Sequence, residues 1–221
     1  MPGKLIVIDG SDGVGKKTQT QLLLQKLTLK KIPVQTISFP RYSEDSSAPI
    51  RMYLAGDFGS PEKVGPKLAS ILFAMDRFAA LGDIKKWLAE GKTVISDRYT
   101  SSNMGHQGSL IQNQEERKKF FLWLYDLEHR LLGIPKPDLT LILHCPAQMS
   151  QRLIHKRGKQ KDMLEQDITL QERSAAIFYE IATTLPSYTL VECTNAKREL
   201  KSIEEIHLEI HQLVRNLAIK Q

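Results

Sequence analysis

The 221-residue chain has only two cysteines, Cys145 and Cys193, far apart and outside any C-x-x-C spacing. That excludes a disulfide framework and a cysteine-built zinc site, and it fits two core thiols in a reducing compartment. Nowhere do ~18 apolar residues run together, so no membrane-spanning helix and no membrane partner are expected. The first residues lack the apolar core and small-residue cleavage site of a secretory signal, which makes the cytoplasm the expected location. Internal repeats are absent too. The charge excess is small, +6 from 31 basic and 25 acidic residues. Such an excess serves a nucleic-acid strand or a small phosphorylated ligand equally well.

What the chain does contain is the balance of a globular domain, 41% hydrophobic and 25% charged. At this length an α/β chain forms one domain with a substantial core, here residues 1–221. Short apolar, β-branched runs at Lys4–Asp9, Val34–Phe39, Thr93–Ser96, Leu139–His144 and Tyr188–Glu192 predict five buried strands. Between them, apolar residues at helical spacing predict helices over 18–31, 49–55, 67–90, 114–132, 148–156 and 169–184, and Ile203 to Leu217 stripe a last amphipathic helix. Strands alternating with helices imply a parallel sheet covered on both faces. The stretch at 155–167, HKRGKQKDMLEQD, is dense in charge and reads as a polar segment between helices.

The chemistry starts at GSDGVGKKT, residues 10–18, which follows the first strand and opens the first helix. In such a loop the glycines let backbone N–H groups and the helix N-terminus converge on phosphate oxygens, while a lysine reaches the outer phosphates. Gly10, Ser11, Asp12, Gly13, Val14, Gly15, Lys16, Lys17 and Thr18 are therefore the expected ATP-binding residues. One feature is missing: the G-x-x-x-x-G-K-[ST] pattern needs a hydroxyl after its lysine to hold Mg2+, and this chain has Lys17. A second signal is TVISDRY, a strand ending in Asp97 and Arg98. An acid at the end of a strand beside a phosphate loop serves the metal, directly or through water.

These and other segments resemble the thymidylate kinase family: the loop GSDGVGKKTQ, FPRY at 39–42, LFAMDRFA at 72–79, DRYTSSNMGHQG at 97–108, RGKQKDMLEQD at 157–167 and SIEEIH at 202–207, in order and nearly end to end. The resemblance implies a three-layer α/β/α P-loop fold with a five-stranded parallel sheet and a mobile lid at about 155–167. It implies transfer of the ATP γ-phosphate to dTMP with Mg2+, by a homodimer that binds no nucleic acid. Phe73 would stack on the base and Arg77 hydrogen-bond it, while Ser102, Asn103 and Gln107 would contact base edge and phosphate. Arg98 and Arg41 would hold the acceptor phosphate, as guanidinium forks do. Asp12 would meet the sugar 3′-hydroxyl, and Asp9 and Asp97 would serve the metal. His106 departs from the aromatic Tyr or Phe common near the sugar. The catalytic set would be Lys16, Asp97, Arg98 and a basic lid residue, Arg157 ahead of Arg152, Lys159 and Lys161. Two other readings stay open on the sequence: a related kinase acting on dUMP, UMP or a deoxynucleoside, and a P-loop ATPase that binds a nucleic-acid strand.

Overall fold

The computed structural model describes residues 2–156 and 167–219, apart from the side chains at 155, 156, 218 and 219. Five strands, β1 (Lys4–Gly10), β2 (Val34–Ser38), β3 (Thr93–Asp97), β4 (Leu139–His144) and β5 (Tyr188–Glu192), form one parallel sheet in the order β2-β3-β1-β4-β5. The helices are α1 (Lys16–Leu29), α2 (Ala48–Ala55), α3 (Pro61–Val64), α4 (Pro66–Ala79), α5 (Leu81–Ala89), α6 (Thr100–Ser102), α7 (Gln114–Tyr125), α8 (Ala147–Lys156), α9 (Ile168–Thr184) and α10 (Ile203–Ile219).

β1 lies at the centre, with Ile8 level with Asp97 of β3 on one side and Leu141 of β4 on the other. Its alternating side chains serve two separate layers, because successive residues of a strand point to opposite faces. Ile6 and Ile8 pack with Leu23 and Leu27 of α1 and with Ile206, Ile210 and Val214 of α10. Leu5 and Val7 pack with Ala80, Ile84 and Tyr99 on the opposite face. Burial of each such side chain contributes about 2 kcal/mol. Hence the strand reads as an unbroken apolar run rather than an alternating one.

All five expected strands are present, with ends shifted by at most one residue. The helix expected over 67–90 is instead two. Ala80, at φ −89° and ψ −1°, breaks it between α4 and α5. Gly82, two residues on, is the only local weakness, and tertiary packing uses it: α4 lies against the 103–107 turn while α5 lies against β3, and one straight axis would not follow both. The helix expected over 114–132 changes pitch after Tyr125 into a π-helical turn, Asp126–Leu131. A second such turn, Asn103–Gln107, continues α6, where no helix was expected. π-turns concentrate at functional sites. In the charged segment at 155–167, only the chain through Lys156 and Asp167 itself are described, and Asp167 caps α9 by accepting from Leu170 N at 3.0 Å.

Candidate active site

The carboxyl ends of β1 and β3 are neighbours in the sheet though not in sequence, and parallel sheets hold ligands in such a crevice. β1 ends in the glycine loop. Gly10 (φ 140°) and Gly13 (φ 81°) take backbone conformations closed to other residues, and a Cβ at either would strike backbone oxygens, Leu143 O at 2.3 Å and Ser150 O at 2.5 Å. Gly15, at φ 93°, then starts α1. The loop's amides and the N-terminus of α1 thus form a concave donor surface.

Inside that curl lies Lys16, almost wholly buried, whose Nζ donates to Gly10 O at 3.0 Å and Ser11 O at 2.7 Å. Burial, and then the Arg98 guanidinium, lower its pKa to about 8. Opposite sits Arg98, held at φ 67° on the turn after β3. A non-glycine residue there is strained, and such strain persists where function needs it. The Arg98 guanidinium pairs with Asp12 through Nη2 and donates through Nη1 to His106 Nε2 at 2.9 Å. Burial alone would raise the Asp12 pKa, but Arg98, His106 and Lys16 together hold it well below the usual carboxylate range.

The partners of His106 fix its state. A guanidinium has only donors, so Nε2 accepts, and Nδ1 carries the proton and faces Ser174 Oγ at 3.2 Å. Burial lowers the His106 pKa to about 4, so the ring is neutral at pH 7. Its edge meets Phe178 at a centroid distance of 5.3 Å. The ring therefore stands between Arg98 and the core of α9.

Of the two acids expected at a metal, Asp9 is committed elsewhere. Its carboxylate accepts from Gly10 N at 2.9 Å, Ser101 Oγ at 2.5 Å, Ser102 Oγ at 2.8 Å and Tyr99 N at 3.3 Å. Asp9 thereby ties the phosphate loop to the start of α6. Ser102, expected at the ligand, spends its hydroxyl on the same acid. Asp97 differs: no hydrogen bond to its carboxylate occurs among the described residues, it lines the cleft, and burial raises its pKa.

A cleft of about 760 Å3 joins these parts. Its one end is floored by Gly13 to Thr18 and walled by Leu200, Lys201 and Ile203; the other is lined by Phe73, Arg77, Asn103 and Gln107. Lys17 and Thr18 are exposed on the first turn of α1 at its edge. Phe73 meets Tyr53 edge-on, at 6.2 Å and 88°. Arg41 stands behind this wall: its Nε donates to Asp76 Oδ1 at 3.1 Å and its Nη2 to Ser46 Oγ at 2.8 Å. Arg152 is exposed on α8, and Arg157, Lys159 and Lys161 lie outside the described residues.

Three acids, Asp9, Asp76 and Glu128, organise this site through other side chains, and the sequence reading assigned none of them that work. Glu128 had a signal. Phe120, Leu124 and Glu128 recur every four residues, and all three are buried, so an acid occupies the apolar stripe of α7 and its continuation. A charge on a core-facing stripe needs a buried partner.

Together, a glycine loop after the central strand, a buried lysine within it and an acid on the adjoining strand define a P-loop nucleotide-binding protein with a second chamber beside its phosphate site. The family model for thymidylate kinase matches residues 8–208. Thymidylate kinase from Mycobacterium tuberculosis is 32% identical over 184 residues, covering 80% of this chain and 85% of its own. A probable thymidylate kinase from Pyrococcus horikoshii is 30% identical over 98% of both chains, and human thymidylate kinase 28% identical over 96% and 89%. Among solved structures, thymidylate kinase from Candida albicans superposes with a TM-score of 0.73 at 23% identity, covering 97% of this chain and 92% of that one, a likeness of fold. The chain belongs to the thymidylate kinase family.

Proposed function

We propose that the protein transfers the γ-phosphoryl group of ATP to dTMP, giving ADP and dTDP. The observation that carries this reading is one continuous cleft with a phosphate loop at one end and an aromatic, amide and guanidinium wall at the other. A strand-binding ATPase has no use for that second wall. ATP phosphates sit in the loop from Gly10 to Thr18 with Lys16 on the transferring group. dTMP lies with its base by Phe73, Arg77, Asn103 and Gln107, its sugar by Asp12 and His106, and its phosphate by Arg98. Phosphoryl transfer gains chiefly from positioned positive charge, which Lys16 and Arg98 supply from opposite sides.

Mg2+ fits this site without the missing hydroxyl. The ion binds through one or two carboxylates plus nucleotide phosphates and keeps several waters. Asp97, with no hydrogen bond to its carboxylate among the described residues, is the acid that would hold it, and the ion would neutralise charge between the β- and γ-phosphates. Arg41, held by Asp76, contributes a distal positive charge toward the acceptor phosphate. The basic lid residue expected at the transferring group, Arg157 ahead of its neighbours, lies outside the described residues.

A homodimer suits the surface. Leu68, Ile71, Met75 and Phe78 form an exposed apolar stripe along α4, with Leu122 and Tyr125 of α7 exposed as well. Solvent-facing stripes of this kind mark association surfaces. The cytoplasm suits the two buried thiols, raised to about 11 and 12 by desolvation. Among the described residues no helix is long and apolar enough to cross a membrane.

A coupled ADP-release assay over dTMP, dUMP, UMP, dCMP and thymidine tests the reading. dTMP is expected to give the highest kcat/KM; a better acceptor among the others overturns the assignment, and ATP turnover stimulated by single-stranded DNA in place of dTMP overturns the class. Phe73→Ala is expected to raise KM for dTMP about tenfold, since stacking a base on an aromatic ring contributes ~1–3 kcal/mol. An unchanged KM would show that Phe73 serves only Tyr53 and the core.

A further inference from the structure

Resting on the reading that the second chamber holds a pyrimidine nucleotide, we propose that Glu128 is the positioning residue that sets which pyrimidine the cleft accepts. Glu128 lies on the π-helical turn after α7 and is 1% exposed. Its Oε2 accepts from Arg77 Nε at 2.7 Å, and its Oε1 accepts from Arg77 Nη2 at 2.7 Å and from Asn103 Nδ2 at 2.9 Å. Three donors from two helical segments thus meet on one carboxylate that is itself not part of the cleft lining.

The consequence is orientational. Asn103 Nδ2 also donates to Ser70 O at 3.1 Å. Both of its partners are acceptors only, so the amide nitrogen must face them and Oδ1 is the atom left for the cleft that Asn103 lines. The same carboxylate takes Nε and Nη2 of Arg77, leaving Nη1 as the corner of the guanidinium available to the cleft. Glu128 therefore presents an acceptor, Asn103 Oδ1, together with a donor, Arg77 Nη1. A thymine or uracil edge carries the complement: N3–H donates and O4 accepts. A cytosine edge carries the inverse, with N3 accepting and the 4-amino group donating, and would set donor against donor and acceptor against acceptor. Sites built on buried hydrogen-bonding groups reject a mispaired analogue strongly, because those groups are left unpaired.

Remove the carboxylate and the orientation is no longer fixed. With a glutamine at 128, one of the two oxygens becomes an NH2 group, which cannot accept from Arg77 or Asn103. Where that group faces Asn103 it opposes Ser70 O, which still accepts from Nδ2, and where it faces Arg77 the guanidinium loses one of its two anchors, so the acceptor and donor offered to the cleft are no longer held together. Glu128 thereby acts through Arg77 and Asn103, and its signature is a change in base preference.

The test compares wild type, Glu128→Gln and Glu128→Asp, measuring kcat and KM with dTMP, dCMP and ATP alongside thermal melting. The ratio of kcat/KM for dTMP to that for dCMP is expected to fall at least ~tenfold in Glu128→Gln, as expected from losing one charge-assisted pairing, with KM for dTMP rising more than kcat falls. KM for ATP is expected to stay within about twofold, since the loop is built on other residues. Glu128→Asp keeps the charge opposite Arg77 but is one methylene too short for the three-donor clamp; it is expected to fold and to lose discrimination as well. If the glutamine variant fails to fold, the aspartate variant decides. A ratio equal to wild type in a folded variant, whatever its melting temperature, overturns the proposal and makes Glu128 a structural partner of Arg77 alone. Lack of wild-type activity on dTMP would instead overturn the functional reading itself.

Discussion

Lys16→Ala is expected to lower kcat by about 10^3-fold while moving KM for dTMP by no more than about threefold. The ammonium lies inside the loop, 3.0 Å from Gly10 O and 2.7 Å from Ser11 O, held beside the phosphate-binding amides. A positioned charge in a water-poor site is worth far more than the same charge in solvent. The acceptor end of the cleft does not touch Lys16, which is why dTMP affinity should survive. The environment adds a pH signature. Burial lowers the Lys16 pKa to about 8, so the free enzyme holds the charged form below that pH and loses it as pH rises through it. Accordingly kcat/KM for ATP should decline above about pH 8. In Lys16→Arg, whose side chain stays ionised, the residual rate, however low, should lack that alkaline limb. Steady-state kinetics from pH 6 to 10 check both. Near-normal turnover in the alanine variant would remove Lys16 from the chemistry.

How much of this was legible beforehand differs by residue, for physical reasons. The strands and the phosphate loop are local statements. β-branched runs and a glycine pattern with the right flanks carry their own geometry, and the five strands appear within one residue of their expected ends. Lys17 was visible as a departure from the motif, and the structure places it exposed at the cleft edge with Asp97 facing the same space. The break at Ala80 was not read, because a single Gly82 inside a long apolar pattern does not by itself end a helix; the cleft and the sheet pull the two halves onto different axes. Asp9 was expected at the metal from the family resemblance, yet its carboxylate accepts from Ser101, Ser102 and two backbone amides. That choice depends on a segment some 90 residues away folding back as a helix, which no local pattern announces. Arg41 likewise was expected at phosphate, and its Nε is held by Asp76 Oδ1 and its Nη2 by Ser46 Oγ and Asp76 O. Residues that touch a ligand are marked by type and motif; residues that aim them are marked only by their buried partners.

Arg98→Ala is expected to cost both activity and stability, and the two losses should respond to pH in different ways. On the proposed reading Arg98 is the guanidinium at the acceptor phosphate, so kcat/KM for dTMP should fall about 10^3-fold. Arg98→Lys keeps the charge without the fork and should recover only part of that, leaving a loss of ~10–100-fold. For stability, the substitution strands Asp12, a nearly buried carboxylate, with Lys16 at 3.9 Å as its remaining ion-pair partner. Removing one member of a buried pair costs ~3–5 kcal/mol, and with Arg98 about a quarter exposed the lower end applies, about 3 kcal/mol. In a chain of 221 residues that is a drop in Tm of about 6–12 °C at neutral pH. In the wild type the Asp12 pKa is depressed, so its contribution is complete above the unfolded value of about 3.9 and is lost as pH falls below it. In the variant, burial acts on Asp12 without the opposing guanidinium and moves its pKa back up. Acid then protonates the stranded carboxylate in the folded state and relieves its cost. The gap in Tm between variant and wild type should therefore narrow as pH is lowered from 7 toward 4, measured by scanning calorimetry. A gap that stays constant over that range would mean that Arg98 stabilises the fold through its strained backbone turn rather than through Asp12.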